Sequence, residues 1–127
     1  MSRVQLALNV PDIDEAVGFY SKLFGTEPDK RKPGYANFAI ADPPLKLVLF
    51  ENRDADARLN HLGVEVQSTD EVAAHQARLA GEGLAPVDDS GTCCFAQQEK
   101  VWVEGPDGTW EIYAVLADSE TFGCARS

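Results

Sequence analysis

Gln5-Leu6-Ala7-Leu8-Asn9-Val10 and, 56 positions later, His61-Leu62-Gly63-Val64-Glu65-Val66 read as two copies of one strand. Leu6, Leu8 and Val10 fall on Leu62, Val64 and Val66, the alternation of a half-buried strand, and the opposite face carries Gln5 in one copy and His61 in the other. The same shift lays Asp12 on Ser68 and Glu15 on Glu71. Each strand is thus followed by a helix start of capping-box type, an N-cap oxygen with a carboxylate three residues on. The first helix is expected over Ile13–Phe24, with Ile13, Val17, Tyr20 and Phe24 on one face and Gly25 as its stop. The second is expected over Thr69–Gly81.

Strand-like runs follow each helix: Tyr35–Ile40 and Leu45–Phe50 in the first half, Cys93–Ala96, Lys100–Val103 and Trp110–Val115 in the second. Asp42-Pro43-Pro44 separates the first pair, and Gly105-Pro106-Asp107-Gly108 turns the chain into the last strand. The pattern is α+β, with βαβββ repeated in tandem. One domain over 1–127 is expected: module one at about 1–52, a polar linker at about 51–58, module two at about 59–116 and a tail over 117–127.

Apolar residues make up 44% of the chain, enough for a real core. The net charge of -10 opposes binding to a phosphate backbone, so nucleic acid is not an expected partner. The chain enters strand sequence directly after Met1-Ser2, with no signal-peptide pattern and no apolar stretch long enough for a membrane; a cytoplasmic protein is expected. Three cysteines in such a chain read as free thiols or ligands, not as a disulfide framework.

Cys93 and Cys94 are adjacent, after the polar stretch Asp88-Asp89-Ser90-Gly91-Thr92. Neighbouring cysteines close only a strained disulfide ring. Two thiols at this spacing therefore read either as a ligand pair for one soft centre, metal or metalloid, or as two small buried hydrophobes. Cys124, in the tail, reads as a third thiolate or as a bystander, and its polar terminal setting favours the bystander. His75, inside the second helix, is given no role.

The paired modules, together with Phe19-Tyr20-Ser21-Lys22-Leu23-Phe24-Gly25 and Gly105-Pro106-Asp107-Gly108 leading into Trp110-Glu111-Ile112-Tyr113, resemble the vicinal oxygen chelate superfamily along nearly the whole chain. That superfamily includes glyoxalase I, extradiol dioxygenases and bleomycin-resistance proteins. The resemblance implies a cupped mixed sheet around a divalent metal, with ligands from the first and last strands of the modules; the matching positions here are Gln5, His61 and Glu111. Singly, Gln5 reads also as a strand-edge cap, His61 as a core histidine and Glu111 as a solvent-facing carboxylate. Together, at repeat-related or motif-defined positions, they favour a metal site. An imidazole, a carboxylate and an amide oxygen would leave open positions, as in the facial triad of non-haem Fe(II) oxygenases. Leu45-Lys46-Leu47-Val48-Leu49 offers no fourth carboxylate, which argues against a glyoxalase I site.

With Thr92-Cys93-Cys94-Phe95 added, and with Arg31–Ile40 and Leu59–Val66, the chain resembles more narrowly the organoarsenical carbon-arsenic lyases and the cadmium-induced proteins related to them. The resemblance implies an Fe(II)-dependent dioxygenase, with dioxygen as cosubstrate, that releases arsenite from methylarsenite and trivalent aromatic arsenicals. Catalytic and metal-binding roles would fall to Gln5, His61 and Glu111, and arsenic binding to Cys93 and Cys94. The alternative is a cadmium- or arsenite-binding resistance protein that turns nothing over. Whether modules pair within one chain or across a homodimer is left open by the sequence.

Overall fold

The computed structural model describes residues 2–93 and 95–118. Cys94 and Cys124 lie outside the described residues, and of Cys93 only the backbone is described.

The chain is α+β and divides into two compact units, Arg3–Leu62 and a second from Gly63 onward. In the first, β1 (Arg3–Val10) leads into α1 (Ile13–Phe24), β2 (Lys30–Lys32), β3 (Tyr35–Ile40) and β4 (Leu45–Glu51), and β5 (Leu59–Glu65) begins. The strand order is β2-β3-β4-β1-β5. β1 runs parallel to β4, with Gln5 opposite Lys46 and Ala7 opposite Val48. β3 is antiparallel to both β2 and β4.

α1 forms where the sequence predicts it, for the expected reasons. Asp12 is its extended N-cap and accepts from the Glu15 backbone N–H; Gly25 closes it at φ 65°, a conformation in which glycine avoids the Cβ penalty. A second cap was not foreseen: the Ile13 backbone N–H donates to Glu51 Oε2 at 2.9 Å. Glu51 is therefore the end of β4, not the start of the linker. Ile13 and Val17 bury against Phe38, Ile40, Leu47 and Leu49, and Tyr20 and Phe24 pack at the edge of this core.

In the second unit, α2 (Thr69–Gly81) starts at the Ser68 N-cap, which accepts from the Glu71 backbone N–H at 3.3 Å, and is followed by β6 (Val87–Asp88), β7 (Gly91–Cys93), β8 (Ala96–Glu104) and β9 (Thr109–Asp118). β8 pairs antiparallel with β9 and carries β6 and β7 on its other edge. Val66, Val72, Leu79, Val101, Ile112 and Ala114 form the core. Gly105 bonds through its N–H to the Gly108 carbonyl at 2.8 Å, and a Cβ on Gly105 would sit 3.0 Å from that oxygen, so a larger residue there would have to push the carbonyl back by a few tenths of an ångström.

Three expectations change. The run Cys93–Ala96 is not one strand: Cys93 ends β7 and pairs with Ala96, which begins β8, and Phe95 adopts φ 63°. The polar Gln97-Gln98-Glu99 segment, outside the expected runs, instead belongs to β8 and pairs with β9 on both sides of a register shift at Gln97/Gln98. The second module thus carries one more strand than βαβββ. Last, the face of β1 opposite Leu6 and Leu8 is the more deeply buried one: Gln5, Ala7 and Asn9 are closed off, whereas Leu6 and Leu8 are only half-buried. A polar face can bury like this only because its groups bond to one another.

The stretch after β4 is tied to β1. The Asn9 backbone N–H donates to the Arg58 carbonyl at 2.6 Å, and the Asn52 N–H donates to the Val10 carbonyl at 2.8 Å.

Candidate metal centre

Gln5 and His61 meet. Both are buried, at 5% and 8% exposure, and Gln5 Nε2 lies 3.2 Å from His61 Nε2. An amide nitrogen only donates, so His61 Nε2 accepts with its lone pair. The other ring nitrogen, Nδ1, is 2.8 Å from Asn60 Oδ1, and the ring lies tilted against Phe50 with centroids 6.4 Å apart. Lys46 stands beside Gln5 on β4.

On the same face of the first unit, Asn37 Nδ2 donates to the Tyr35 hydroxyl at 2.9 Å, while Asn37 Oδ1 is buried with no partner among the described residues. A buried acceptor of this kind ordinarily holds a water or a ligand donor. Tyr35 in turn packs on Phe50, with ring centroids 5.6 Å apart.

Glu111 belongs to the second unit, on β9 opposite Trp102. It does not face solvent: its Oε1 takes a 2.7 Å ion pair from Lys100 Nζ, and the two side chains are 5% and 2% exposed. The ammonium also lies 5.4 Å from the Trp102 ring centroid and 5.7 Å from that of Tyr113, within the range in which a ring face attracts a cation. A lysine buried this fully persists only when its charge is matched.

Lys100 is held from behind. Its backbone N–H donates to Ser90 Oγ at 3.1 Å, and its carbonyl accepts from the Asp89 N–H at 3.1 Å. Ser90 donates to Asp88 Oδ1 from both its hydroxyl and its backbone N–H; those bonds, the hydroxyl's first, hold the Asp88 carboxyl below its ordinary range. Trp102 is fixed by a 2.9 Å bond from its Nε1–H to Asp89 Oδ2. The polar stretch 88–92 is therefore largely paired: Val87–Asp88 and Gly91–Cys93 both pair with β8.

Sequence reasoning missed Lys100, Asn60 and Asn9. The signal was present: Lys100 shares the inward alternation of β8 with Gln98 and Trp102, and Asn9 shares the Gln5 face of β1. Among the described residues no three His, Cys, Asp or Glu side chains cluster. His75, half-buried on α2, has its Nδ1 3.1 Å from Arg78 and stands apart from these groups.

The sequence model of the Glyoxalase/Bleomycin resistance protein/Dioxygenase superfamily matches residues 3–112. The chain belongs to this superfamily. It is 66% identical over 125 residues to the cadmium-induced protein CadI of Mycobacterium tuberculosis, covering 97% of this chain and 82% of that one. It is 59% identical over 128 residues to a trivalent organoarsenical cleaving enzyme of Thermomonospora curvata, covering 98% and 85% of the two chains. Among solved structures, the Mn(II)-bound glyoxalase from Novosphingobium aromaticivorans shares the superfamily fold, with a TM-score of 0.64 at 20% identity over 99% of this chain and 44% of that one. Among the described residues, no helix is long and apolar enough to cross a membrane.

Proposed function

We propose that this protein is a cytoplasmic Fe(II)-dependent enzyme that cleaves the carbon-arsenic bond of trivalent organoarsenicals, methylarsenite and trivalent aromatic arsenicals among them, and releases arsenite with dioxygen as cosubstrate. The observation that carries the reading is the 59% identity, over 98% of the chain, to a relative named for cleaving trivalent organoarsenicals. The donor chemistry fits. Neutral imidazole offers a ring nitrogen lone pair to a metal, and here His61 Nε2 is that lone pair. Gln5 would add an amide oxygen and Glu111 a carboxylate oxygen. Iron bound by these groups would supply the redox chemistry needed to activate dioxygen.

The protein's own residues prepare this arrangement. The Gln5 amide donates into the His61 lone pair, so for Gln5 to serve as an oxygen ligand its amide would turn its oxygen in place of its N–H. The exchange costs about 1 kcal/mol, the worth of one neutral hydrogen bond. Lys100 occupies one oxygen of Glu111 and thereby fixes the carboxylate's orientation. Cys93 and Cys94 would hold trivalent arsenic as a dithiolate, since arsenic is thiophilic while the iron ligands are harder nitrogen and oxygen donors. Fixing arsenic there would set its organic substituent in one orientation, which is how positioning lowers the barrier.

The deciding experiment is anaerobic reconstitution with Fe(II), followed by methylarsenite with and without air. Arsenite release that needs both iron and oxygen supports the reading; arsenical binding without release sinks it. Cys93→Ser and Cys94→Ser should each lose trivalent-arsenical binding while taking up Fe(II) at parent affinity, read by phenylarsenite titration and metal analysis. Phenylarsenite binding at parent affinity in either variant would remove that thiol from the model of arsenic capture.

The second reading, a soft-metal buffering protein, is favoured by the name of the 66% identical relative, a cadmium-induced protein. Tight cadmium binding abolished by Cys93→Ser, with no iron-dependent turnover, is the pattern it requires.

A further inference from the structure

The proton on His61 is fixed by a chain of amides that begins at the linker. Asn9 Nδ2 donates to the Ala57 carbonyl at 3.0 Å. A carbonyl only accepts, so the Asn9 amide can sit one way round, with Oδ1 turned toward Asn60. Asn60 Nδ2 donates to that Oδ1 at 3.0 Å, which leaves Asn60 Oδ1 facing His61 Nδ1 at 2.8 Å. An acceptor at Nδ1 demands a hydrogen there. The neutral ring then carries its proton on Nδ1 and a bare pair on Nε2, and the Gln5 amide donating to Nε2 at 3.2 Å reports the same tautomer from the other side.

Each link could reverse only by facing two donors or two acceptors together, a cost of about 1–3 kcal/mol for a buried group left unsatisfied. Asn9 is itself clamped twice to the linker, by its side chain to Ala57 and by its backbone N–H to Arg58. Phe50, tilted 40° to the imidazole, limits the ring's other freedom.

We propose that Asn60 and Asn9 are positioning residues that hold His61 in the Nδ1–H tautomer, so that Nε2 is presented as a ready donor to a metal. This rests on reading His61 as a metal ligand. The amide relay takes the part that an outer partner plays for ligating histidines, whose removal commonly lowers metal affinity 10- to 100-fold.

The test uses the full-length, metal-free protein labelled with 15N-histidine, carrying His75→Gln so that His61 is the one imidazole observed. Long-range proton-nitrogen correlation, at a pH where the ring is neutral, should show a protonated Nδ1 and an unprotonated Nε2. Asn60→Ala should shift population to the Nε2–H form and weaken Co(II) binding by about 10- to 100-fold. Asn9→Ala, which frees the Asn60 amide to turn over, should move both readouts in the same direction. Asn60→Asp, which loses the N–H toward Asn9 Oδ1 but keeps an acceptor at Nδ1, should hold the Nδ1–H tautomer that Asn60→Ala loses, an outcome that a merely structural role would not produce. A single Nδ1–H tautomer persisting in Asn60→Ala, with parent Co(II) affinity, would overturn the proposal, as would an Nε2–H ring in the parent. If Asn60→Ala does not fold, Asn9→Ala and Asn60→Asp decide it alone. Co(II) that leaves the parent's His61 Nε2 resonance unmoved would instead sink the metal-ligand reading, while the tautomer comparison still judges the relay.

Discussion

Lys100→Met should destabilise the protein by about 3–5 kcal/mol, because it strands the Glu111 carboxylate in a site where both side chains are nearly sealed from water. In a chain of this size that corresponds to a drop of roughly 10–20 °C in melting temperature. The pair as a whole contributes far less. The desolvation of both ions offsets most of their attraction, so the double variant Lys100→Met with Glu111→Leu should recover most of the lost stability. Urea or thermal unfolding of the two single variants and the double variant measures this directly. Single-variant costs that simply add in the double would show that the two side chains do not act as a pair. The same reasoning affects how Glu111 is tested as a ligand. Glu111→Ala would leave a buried ammonium unmatched and confound lost metal binding with lost folding, whereas Glu111→Gln still offers Lys100 an acceptor.

His61→Ala should lower Fe(II) affinity by about a hundredfold or more and abolish turnover. Loss of an outer partner alone costs 10- to 100-fold, and this change removes the ligand itself. The fold should survive. The substitution deletes bonds to Gln5 and Asn60, each worth about 1 kcal/mol, and leaves the α1 core untouched. Anaerobic iron titration with a parallel melting curve separates the two effects, and His75→Ala, on an unrelated helix face, is the control. Parent iron affinity in His61→Ala would remove the histidine from the site.

Much of this was legible in the chain because the repeat supplies its own check. Ile13–Phe24 and Thr69–Gly81 carry caps at their first residues, and cap chemistry is local, so both helices appear where sequence places them. Gln5 and His61 were found by superposing one half of the chain on the other. Lys100 was not, since a lone lysine between Glu99 and Val101 looks like strand-edge polarity until the register with β9 sets it beside Glu111 and Tyr113. The Cys93–Ala96 run was misread as one strand because apolar composition does not mark where a strand stops: only the backbone shows that Phe95 is left-handed. Asn9 and Asn60 were invisible for another reason. Their importance lies in which end of each amide faces its neighbour, and that depends on the linker folding back onto β1.

The amide relay also makes the two copies of the strand chemically unequal. Under the 56-residue shift, Asn60 falls on Val4 and Asn9 on Glu65, so the asparagine pair is not repeated in the sequence around Gln5. Val4 is 48% exposed and has no side-chain acceptor to offer a neighbouring ring. Engineering Gln5→His would therefore add an imidazole preceded by Val4 and not by an asparagine, not a second histidine equal to the first. The repeat gives both copies the same place on the strand, whereas the residues beside that place, which set where a ring proton sits, differ between them.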